Sequence, residues 1–324
     1  MQIVKISSRE EGQRLDKFLL KYLNQAPQSF IYKMLRKKNI VLNDKKCDGS
    51  EKVNANDEIK LFLSDETIAK FSKPLEVIKS VPLDIVYENE DVIFINKAAG
   101  VLSQKADAKD VSMNEYLISY LLNNGSVTED DLKTFHPAVC NRLDRNTSGI
   151  ILAGKTMTGL QELSKRLKDR SIEKYYLCLV TGKVNSSALI KGYLHKDEKS
   201  NKVIISSDEG VATSYIETAY TPLSSNDAVT LLEVELITGR THQIRSHLAS
   251  IGHAIVGDTK YGNKNINKQF KDKYGLKHQL LHAWRICFGK IEGDKLEGLA
   301  SKIFVATLPP PFESILRAEH LEEY

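Results

Sequence analysis

Tyr215-Ile216-Glu217-Thr218-Ala219-Tyr220-Thr221-Pro222-Leu223, then Ser224-Ser225-Asn226-Asp227-Ala228, then Val229-Thr230-Leu231-Leu232-Glu233-Val234-Glu235-Leu236-Ile237 is the stretch that sets the fold class. Two runs rich in β-branched and aromatic residues flank a short polar loop, the pattern of an antiparallel hairpin. Leu83–Tyr87, Val92–Asn96 and Lys174–Val180 read as further strands, and Ile150-Ile151-Leu152-Ala153 as a buried one. Helical patterns are fewer. Met157–Arg170 places Leu160, Leu163 and Leu167 inward and Lys165, Arg166, Lys168 and Arg170 outward. A parallel sheet needs helical crossovers between its strands, so the predicted class is α+β with a central, mostly antiparallel sheet.

The 324 residues are 41% hydrophobic and 27% charged, with only 8 Pro and 18 Gly, which excludes collagen-like and generally disordered chains. That length suits one large core with a smaller satellite domain. Apolar runs such as Tyr175–Val180 stop far short of the ~20 residues that span a bilayer. Met1–Ser7 reads as a strand and lacks the apolar core of a signal peptide, so a cytoplasmic location is expected. Cys47, Cys140, Cys178 and Cys287 form no CxxC pair, so neither a zinc ribbon nor a disulfide framework is predicted.

The net charge of +4 is unevenly spread: residues 1–60 hold 13 Lys+Arg against 8 Asp+Glu, and the rest is nearly neutral. A small basic unit on a larger neutral one suggests a nucleic-acid handle, with a solvated lysine-rich surface as the alternative. Within it, Gln13–Leu23 has helical spacing. A second helix starting at a Ser29 N-cap carries Phe30, Ile31, Met34 and Leu35 on one stripe and Lys33, Arg36 and Lys37 on the other side. Residues 40–45 and 57–63 read as strands. The predicted organisation is therefore residues 1–64, a linker over 65–80, and a main domain over 81–324.

Three segments can carry chemistry. In Asn141-Arg142-Leu143-Asp144-Arg145-Asn146-Thr147-Ser148-Gly149, an aspartate stands between two arginines that favour its ionised form. It is open whether Asp144 is a nucleophile or base, or caps a turn. Thr238-Gly239-Arg240-Thr241-His242-Gln243-Ile244-Arg245-Ser246-His247 runs from the hairpin into a helix predicted over about 241–252, with Ile244, Leu248 and Ile251 inward. Arg245 on its first turns can grip a carboxylate or phosphate, or simply face solvent. The spacing of His242, His247 and His253 does not suit a zinc site, so no metal is predicted. In Glu173-Lys174-Tyr175-Tyr176, Tyr176 can stack on a base or fill a core.

Together these segments resemble the three motifs of the RluA-type family of RNA pseudouridine synthases: residues 141–149, then Lys174–Tyr176, then 239–247, in that order. Gly252-His253-Ala254-Ile255-Val256-Gly257-Asp258 with Tyr261-Gly262, Leu281-His282-Ala283, and Leu83–Tyr87 through Asn96–Gly100 also fit. Residues 12–63 resemble the αL RNA-binding domain, through Gly12, Arg14-Leu15-Asp16, Phe18-Leu19 and Ile31-Tyr32-Lys33 with Leu35-Arg36-Lys37. Asn141, Asn146, Ala98 and Ala254 depart from the family's usual residues.

The resemblance implies a pseudouridine synthase domain behind an αL domain, acting without metal or organic cofactor on RNA, most closely like the branch that modifies large-subunit ribosomal RNA. It implies Asp144 as catalytic carboxylate, Arg245 as its partner, and Tyr176 stacked on the flipped uracil and assisting loss of the carbon 5 proton. Arg142 would be a wedge where the base leaves its stack, with Arg14, Lys33, Arg36 and Lys37 holding RNA backbone. A monomer meets these requirements. Transfer RNA as substrate and a non-catalytic RNA-binding assembly factor are the competing readings.

Overall fold

The computed structural model describes residues 1–73, 78–79, 81–107, 109–197, 202–206, 210, 213–293 and 295–322. The N-terminal unit is β1 (Gln2–Lys5), α1 (Leu15–Tyr22), α2 (Gln28–Arg36), β2 (Ile40–Leu42), β3 (Glu58–Leu61) and α3 (Asp65–Phe71). Its antiparallel sheet has the order β1-β3-β2. Leu15, Phe18 and Leu19 of α1 and Ile31 and Leu35 of α2 meet in its core, as their 3.6-residue spacing requires. Helix α2 begins one residue before the expected cap: Pro27 is its N-cap, and its fixed φ suits the entry to a helix.

Residues 65–71, expected as linker, form α3, capped by Ser64 Oγ accepting the Thr67 N–H at 3.3 Å. Ile68 and Phe71 pack on the same N-terminal core, so these residues extend that unit. Of the remaining linker stretch, residues 74–77 and 80 lie outside the described residues.

The larger unit contains β4 (Ile85–Glu88), β5 (Val92–Lys97), α4 (Met113–Asn123), β6 (Ala138–Val139), β7 (Ser148–Gly154), α5 (Met157–Asp169), β8 (Ile172–Thr181), β9 (Ala188–Asp197) and β10 (Lys202–Ser206). It continues with β11 (Ser214–Ser225), β12 (Val229–Leu236), α6 (Gln243–Ser250), α7 (Lys264–Tyr274), β13 (Leu281–Phe288), β14 (Ile303–Val305) and α8 (Pro310–Ala318). Its sheet runs β10-β9-β11-β12-β8-β13-β7-β5-β4, with β14 on β13 and β6 on β7. The expected hairpin is β11–β12, with Thr218 opposite Leu236 and a bulge between Pro222 and Ser224. Every described pairing in this sheet is antiparallel except β13–β7, where His282 lies beside Ser148. The fold is α+β with a mostly antiparallel sheet, as expected.

Strand alternation puts the two faces of β8 into different cores. Tyr176, Cys178 and Val180 join Leu232, Val234 and Ile244 and Leu248 of α6. Leu177 and Leu179 join Phe270 of α7 and Phe312 and Leu316 of α8 on the other side. The parallel β13–β7 contact is close because residue 149 is glycine: at φ 109°, an added Cβ would lie 2.2 Å from the Ala283 carbonyl oxygen.

The two units touch along residues 9–21. Arg9 Nη1 pairs with Asp131 at 3.2 Å, Thr134 Oγ1 donates to buried Glu10 at 2.6 Å, and Gln161 Nε2 donates to the Gly12 carbonyl at 3.1 Å. Arg166, expected to point outward from α5, is buried, whereas Lys165, Lys168 and Arg170 are exposed.

Candidate active site

Asp144 lies in the turn between β6 and β7, and that turn is fixed from behind. The Thr147 N–H donates to the Asp144 carbonyl at 3.0 Å. Ser103 locks the preceding residue, accepting the Leu143 N–H at 3.0 Å and donating to the Leu143 carbonyl at 2.7 Å. On the following residue, the Arg145 carbonyl accepts from Gly100 N–H at 2.8 Å and from Lys97 Nζ at 3.2 Å.

The cation that holds Asp144 is not either sequence neighbour. Arg245, 101 residues later, donates from Nη1 to Asp144 Oδ2 at 2.7 Å. Arg142 is exposed, and Arg145 points away, its Nε donating to the Gly100 carbonyl at 3.1 Å. Neighbours in a turn diverge, so proximity in sequence gave the right charge logic with the wrong partner. The other oxygen, Asp144 Oδ1, accepts no protein hydrogen bond among the described residues, and the side chain is 26% exposed.

Arg245 is only 7% exposed, not the solvated residue its surface-helix alternative required. Its Nε and Nη2 donate to Asp258 Oδ2 and Oδ1 at 2.7 and 3.0 Å, a two-pronged grip that sets the guanidinium plane. Burial opposes the charge on Arg245, yet the Asp258 and Asp144 carboxylates raise its pKa above the ordinary value. Burial likewise opposes ionisation of Asp258. Hydrogen bonds and charge from Arg245, and the N–H groups of Lys260 and Tyr261, still hold its carboxyl below the usual range.

The start of α6 is pinned to the hairpin. Gln243 Oε1 accepts from Thr238 Oγ1 and Arg240 N–H at 2.8 and 3.1 Å, and its Nε2 donates to the Glu217 carbonyl at 2.8 Å. The helix therefore begins at Gln243, two residues later than expected, and ends at Ser250, leaving Ile251 37% exposed and not inward. The three histidines considered for zinc have separate partners. His242 Nδ1 is 3.0 Å from Tyr261 Oη, His247 Nδ1 2.9 Å from Thr218 Oγ1, and His253 Nδ1 2.9 Å from the Thr181 carbonyl.

A cleft of about 990 Å³ opens over this ion-pair chain. Arg142, Asp144, Tyr176 and Arg245 all line it, so the main-domain residues singled out in the sequence converge. Lys105, Lys168, Arg170, Lys174 and Arg240 line it too, and Asp144 is its one carboxylate among the described residues. Such a wall attracts a polyanion and repels it only at the point where Asp144 sits. Tyr176 is 6% exposed, and burial, with the nearby Asp144 charge, pushes its phenol well up, keeping it protonated. Lys97, Lys174, Asp258 and Tyr261 were not assigned roles from sequence. Asp258 and Tyr261 stand in the run 252–262 that fits the family pattern, which is the signal that marks them.

The residues predicted to hold RNA backbone do not line this cleft. Lys33 and Arg36 on the outer face of α2 and Lys37 at its C-cap are exposed, and none has a carboxylate within 4.0 Å among the described residues. Arg14 differs: its Nε and Nη2 donate to buried Asp16 at 3.1 and 2.9 Å, and Tyr32 Oη donates to the same carboxylate at 2.8 Å.

The family model described as RNA pseudouridylate synthase matches residues 91–250. The ribosomal large subunit pseudouridine synthase C of Pasteurella multocida is 31% identical over 299 residues, covering 89% of this chain and 86% of that protein. Its namesake in Escherichia coli strain K12 is 30% identical over 298 residues, covering 89% and 88%. An uncharacterized RNA pseudouridine synthase of Mycoplasma genitalium is 30% identical over 328 residues, covering 96% and 98%. Among solved structures, Human RNA Pseudouridylate Synthase Domain Containing 4 superposes with a TM-score of 0.57 at 21% identity, covering 73% of this chain and 92% of that one, and shares the fold. The chain belongs to the RluA-type family of RNA pseudouridine synthases, and it is an isomerase acting on RNA.

Proposed function

We propose that this protein converts uridines of large-subunit ribosomal RNA to pseudouridine, with Asp144 as the catalytic carboxylate. The observation that carries the reading is the Asp144–Arg245 pair: a carboxylate held at one oxygen only, lining a cleft whose other charged residues are Lys and Arg. The ribosomal substrate is supported by the names of the relatives that match along nearly nine-tenths of the chain.

In the reaction the N1–C1′ bond of uridine breaks, the base turns, and C5 bonds to C1′; the C5 proton leaves and N1 gains one, so the product is an isomer. Arg245 keeps Asp144 ionised and aimed, leaving Oδ1 to act on the sugar or the base. Tyr176 offers a neutral ring for the extruded uracil to stack on. Its raised pKa disfavours a role as the base that removes the C5 proton. Arg142, exposed on the rim, fills the space the base vacates. Flipping costs a few kcal/mol, which favours uridines in loops and bulges. The N-terminal unit, residues 1–64 with α3 packed on it, acts as the αL RNA-binding domain, with Lys33, Arg36 and Lys37 on phosphates; such contacts add affinity and register without reading sequence. Arg14 serves this unit by bracing Asp16 and Tyr32.

The test is to incubate the protein and its Asp144→Asn variant with unmodified ribosomal and transfer RNA and to map pseudouridines by carbodiimide-dependent primer extension. Modification of large-subunit RNA by the wild type alone is expected. Modification of transfer RNA only would move the substrate, and an active Asp144→Asn variant would remove Asp144 from its role.

A further inference from the structure

His242 stands immediately before α6 in the left-handed region, φ 56°, a conformation rare for a residue with a Cβ. Its ring fills the corner between Asp144 and Tyr261. Tyr261 Oη accepts the Val203 N–H at 2.9 Å and lies 3.0 Å from His242 Nδ1. A phenol has one proton to give, and among the described residues His242 Nδ1 is the acceptor within its reach. With Tyr261 donating to Nδ1, the imidazole's own proton sits on Nε2. That atom is 3.9 Å from Asp144 Oδ2, too far for a hydrogen bond, and it is engaged by no other protein group among the described residues. The ring lines the cleft. Burial, reinforced by Arg245 and Lys260 against the opposing charges of Asp144 and Asp258, lowers its pKa and favours the neutral form.

We propose that His242 is a further catalytic residue, whose Nε2–H donates a hydrogen bond to a carbonyl oxygen of the extruded uracil. When the N1–C1′ bond breaks, its electron pair passes to the base, and the negative charge spreads from N1 onto the carbonyl oxygens. A donor already fixed at the site stabilises that charge without reorganising. Tyr261 is the positioning residue that sets the tautomer, and the guanidinium of Arg245, 5.2 Å from its ring centre, holds Tyr261 in place. The inference rests on the reading of the Asp144 cleft as the site of isomerisation.

The decisive variants are His242→Asn and His242→Gln. Asparagine tolerates the left-handed backbone and can still accept from Tyr261, but it has no group where Nε2 stood. The longer glutamine amide returns an N–H to the cleft. Single-turnover rates, on whichever RNA the wild type modifies, should fall on the order of 100-fold in His242→Asn with the RNA Kd changed less than about threefold. His242→Gln should recover about tenfold of that loss. If His242→Asn does not fold, Tyr261→Phe carries the test. It keeps the ring beneath Arg245 and removes the hydroxyl that sets the tautomer, together with its bond from the Val203 N–H, and its rate should fall about tenfold. A rate for His242→Asn within about threefold of wild type, equal losses in both variants, or a 15N–1H spectrum placing the proton on Nδ1 would overturn the proposal. Asp144→Asn measured alongside separates the two claims: if it stays active, the cleft reading fails irrespective of His242.

Discussion

Asp258 grips Arg245 through two parallel N–H···O bonds of 2.7 and 3.0 Å, and so decides where the third guanidinium nitrogen meets Asp144. Asp258 touches neither the cleft nor the substrate side of Asp144. Its own Oδ1 is fixed by the backbone N–H groups of Lys260 and Tyr261, at 2.8 and 3.1 Å. The result is a chain of ion pairs running from the tight turn after Val256 through α6 to the Asp144 turn.

Asp258→Asn is therefore expected to lower the single-turnover rate by at least about tenfold with little change in RNA affinity. It should also cost about 3 kcal/mol of stability in denaturant titrations, because a buried ion pair loses one partner. The acid limb gives an independent check. The folded-state pKa of Asp258 is depressed, so its contribution is present above the unfolded value near ~4 and is lost as pH falls through the folded one. The wild type should lose stability below about pH 4 more steeply than the variant does.

Lys97 is 1% exposed, and its Nζ donates to the carbonyls of Ala98, Val101 and Arg145 at 3.0, 2.9 and 3.2 Å. Burial pushes its pKa down to about 7, against the pull of the Asp144 charge. Lys97→Met strands those carbonyls and should cost roughly 2–3 kcal/mol, read as a drop in denaturation midpoint. The sign of the pH effect follows from the depressed value. Between about 7 and the unfolded ~10.4, the unfolded chain binds the proton that the folded chain has shed, so stability attributable to Lys97 rises with pH. The gap between wild type and variant should widen from pH 7 to pH 9. A constant gap would show that the ammonium stays charged.

Gly149→Ala is expected to prevent folding or to destabilise by more than ~4 kcal/mol. Its Cβ would fall 2.2 Å from the Ala283 carbonyl oxygen, at φ 109° and beside the one parallel pairing that joins β7 to β13. Gly125→Ala is the control: its φ is 72°, but nothing lies within 4 Å, so only the backbone cost of about 1 kcal/mol applies. Thermal unfolding of the two variants side by side distinguishes contact from backbone strain.

Replacing Lys33, Arg36 and Lys37 together by Gln should weaken RNA binding and reduce the salt dependence of log K by up to about three counterion units, leaving the rate at saturating RNA unchanged. Arg14→Gln should instead lower the thermal stability of the N-terminal unit, because Arg14 is spent on Asp16. An unchanged salt slope for the triple variant would remove α2 from the RNA contact surface.

Much of the fold was legible because it rests on short-range patterns. The strand read over Lys174–Val180 puts Tyr176 and Leu177 on opposite faces by period-two alternation, and the hairpin of 215–237 sets the antiparallel class. Helix ends were less legible. The Ser29 cap gave way to Pro27, and α6 started at Gln243, since those boundaries depend on local backbone geometry and on the Gln243 bonds to the hairpin. Helix α3 reads as linker in the sequence because a seven-residue helix carries only Ile68 and Phe71 as apolar anchors, too few to show a period.

By itself the sequence determined the class of sheet, the basic N-terminal unit, and which main-domain residues deserved scrutiny, because residue type and spacing act locally. The motif resemblance already implies Arg245 as the partner of Asp144, across 101 residues, where charge pattern alone points to the arginines beside it. Only the tertiary structure decided the rest of the pairing: Asp258 becomes the anchor of that arginine, and Lys97 becomes a clamp on the Asp144 turn. Such pairings depend on which loops the sheet order brings together and on which charges are taken out of water, and neither is written in any single stretch of chain.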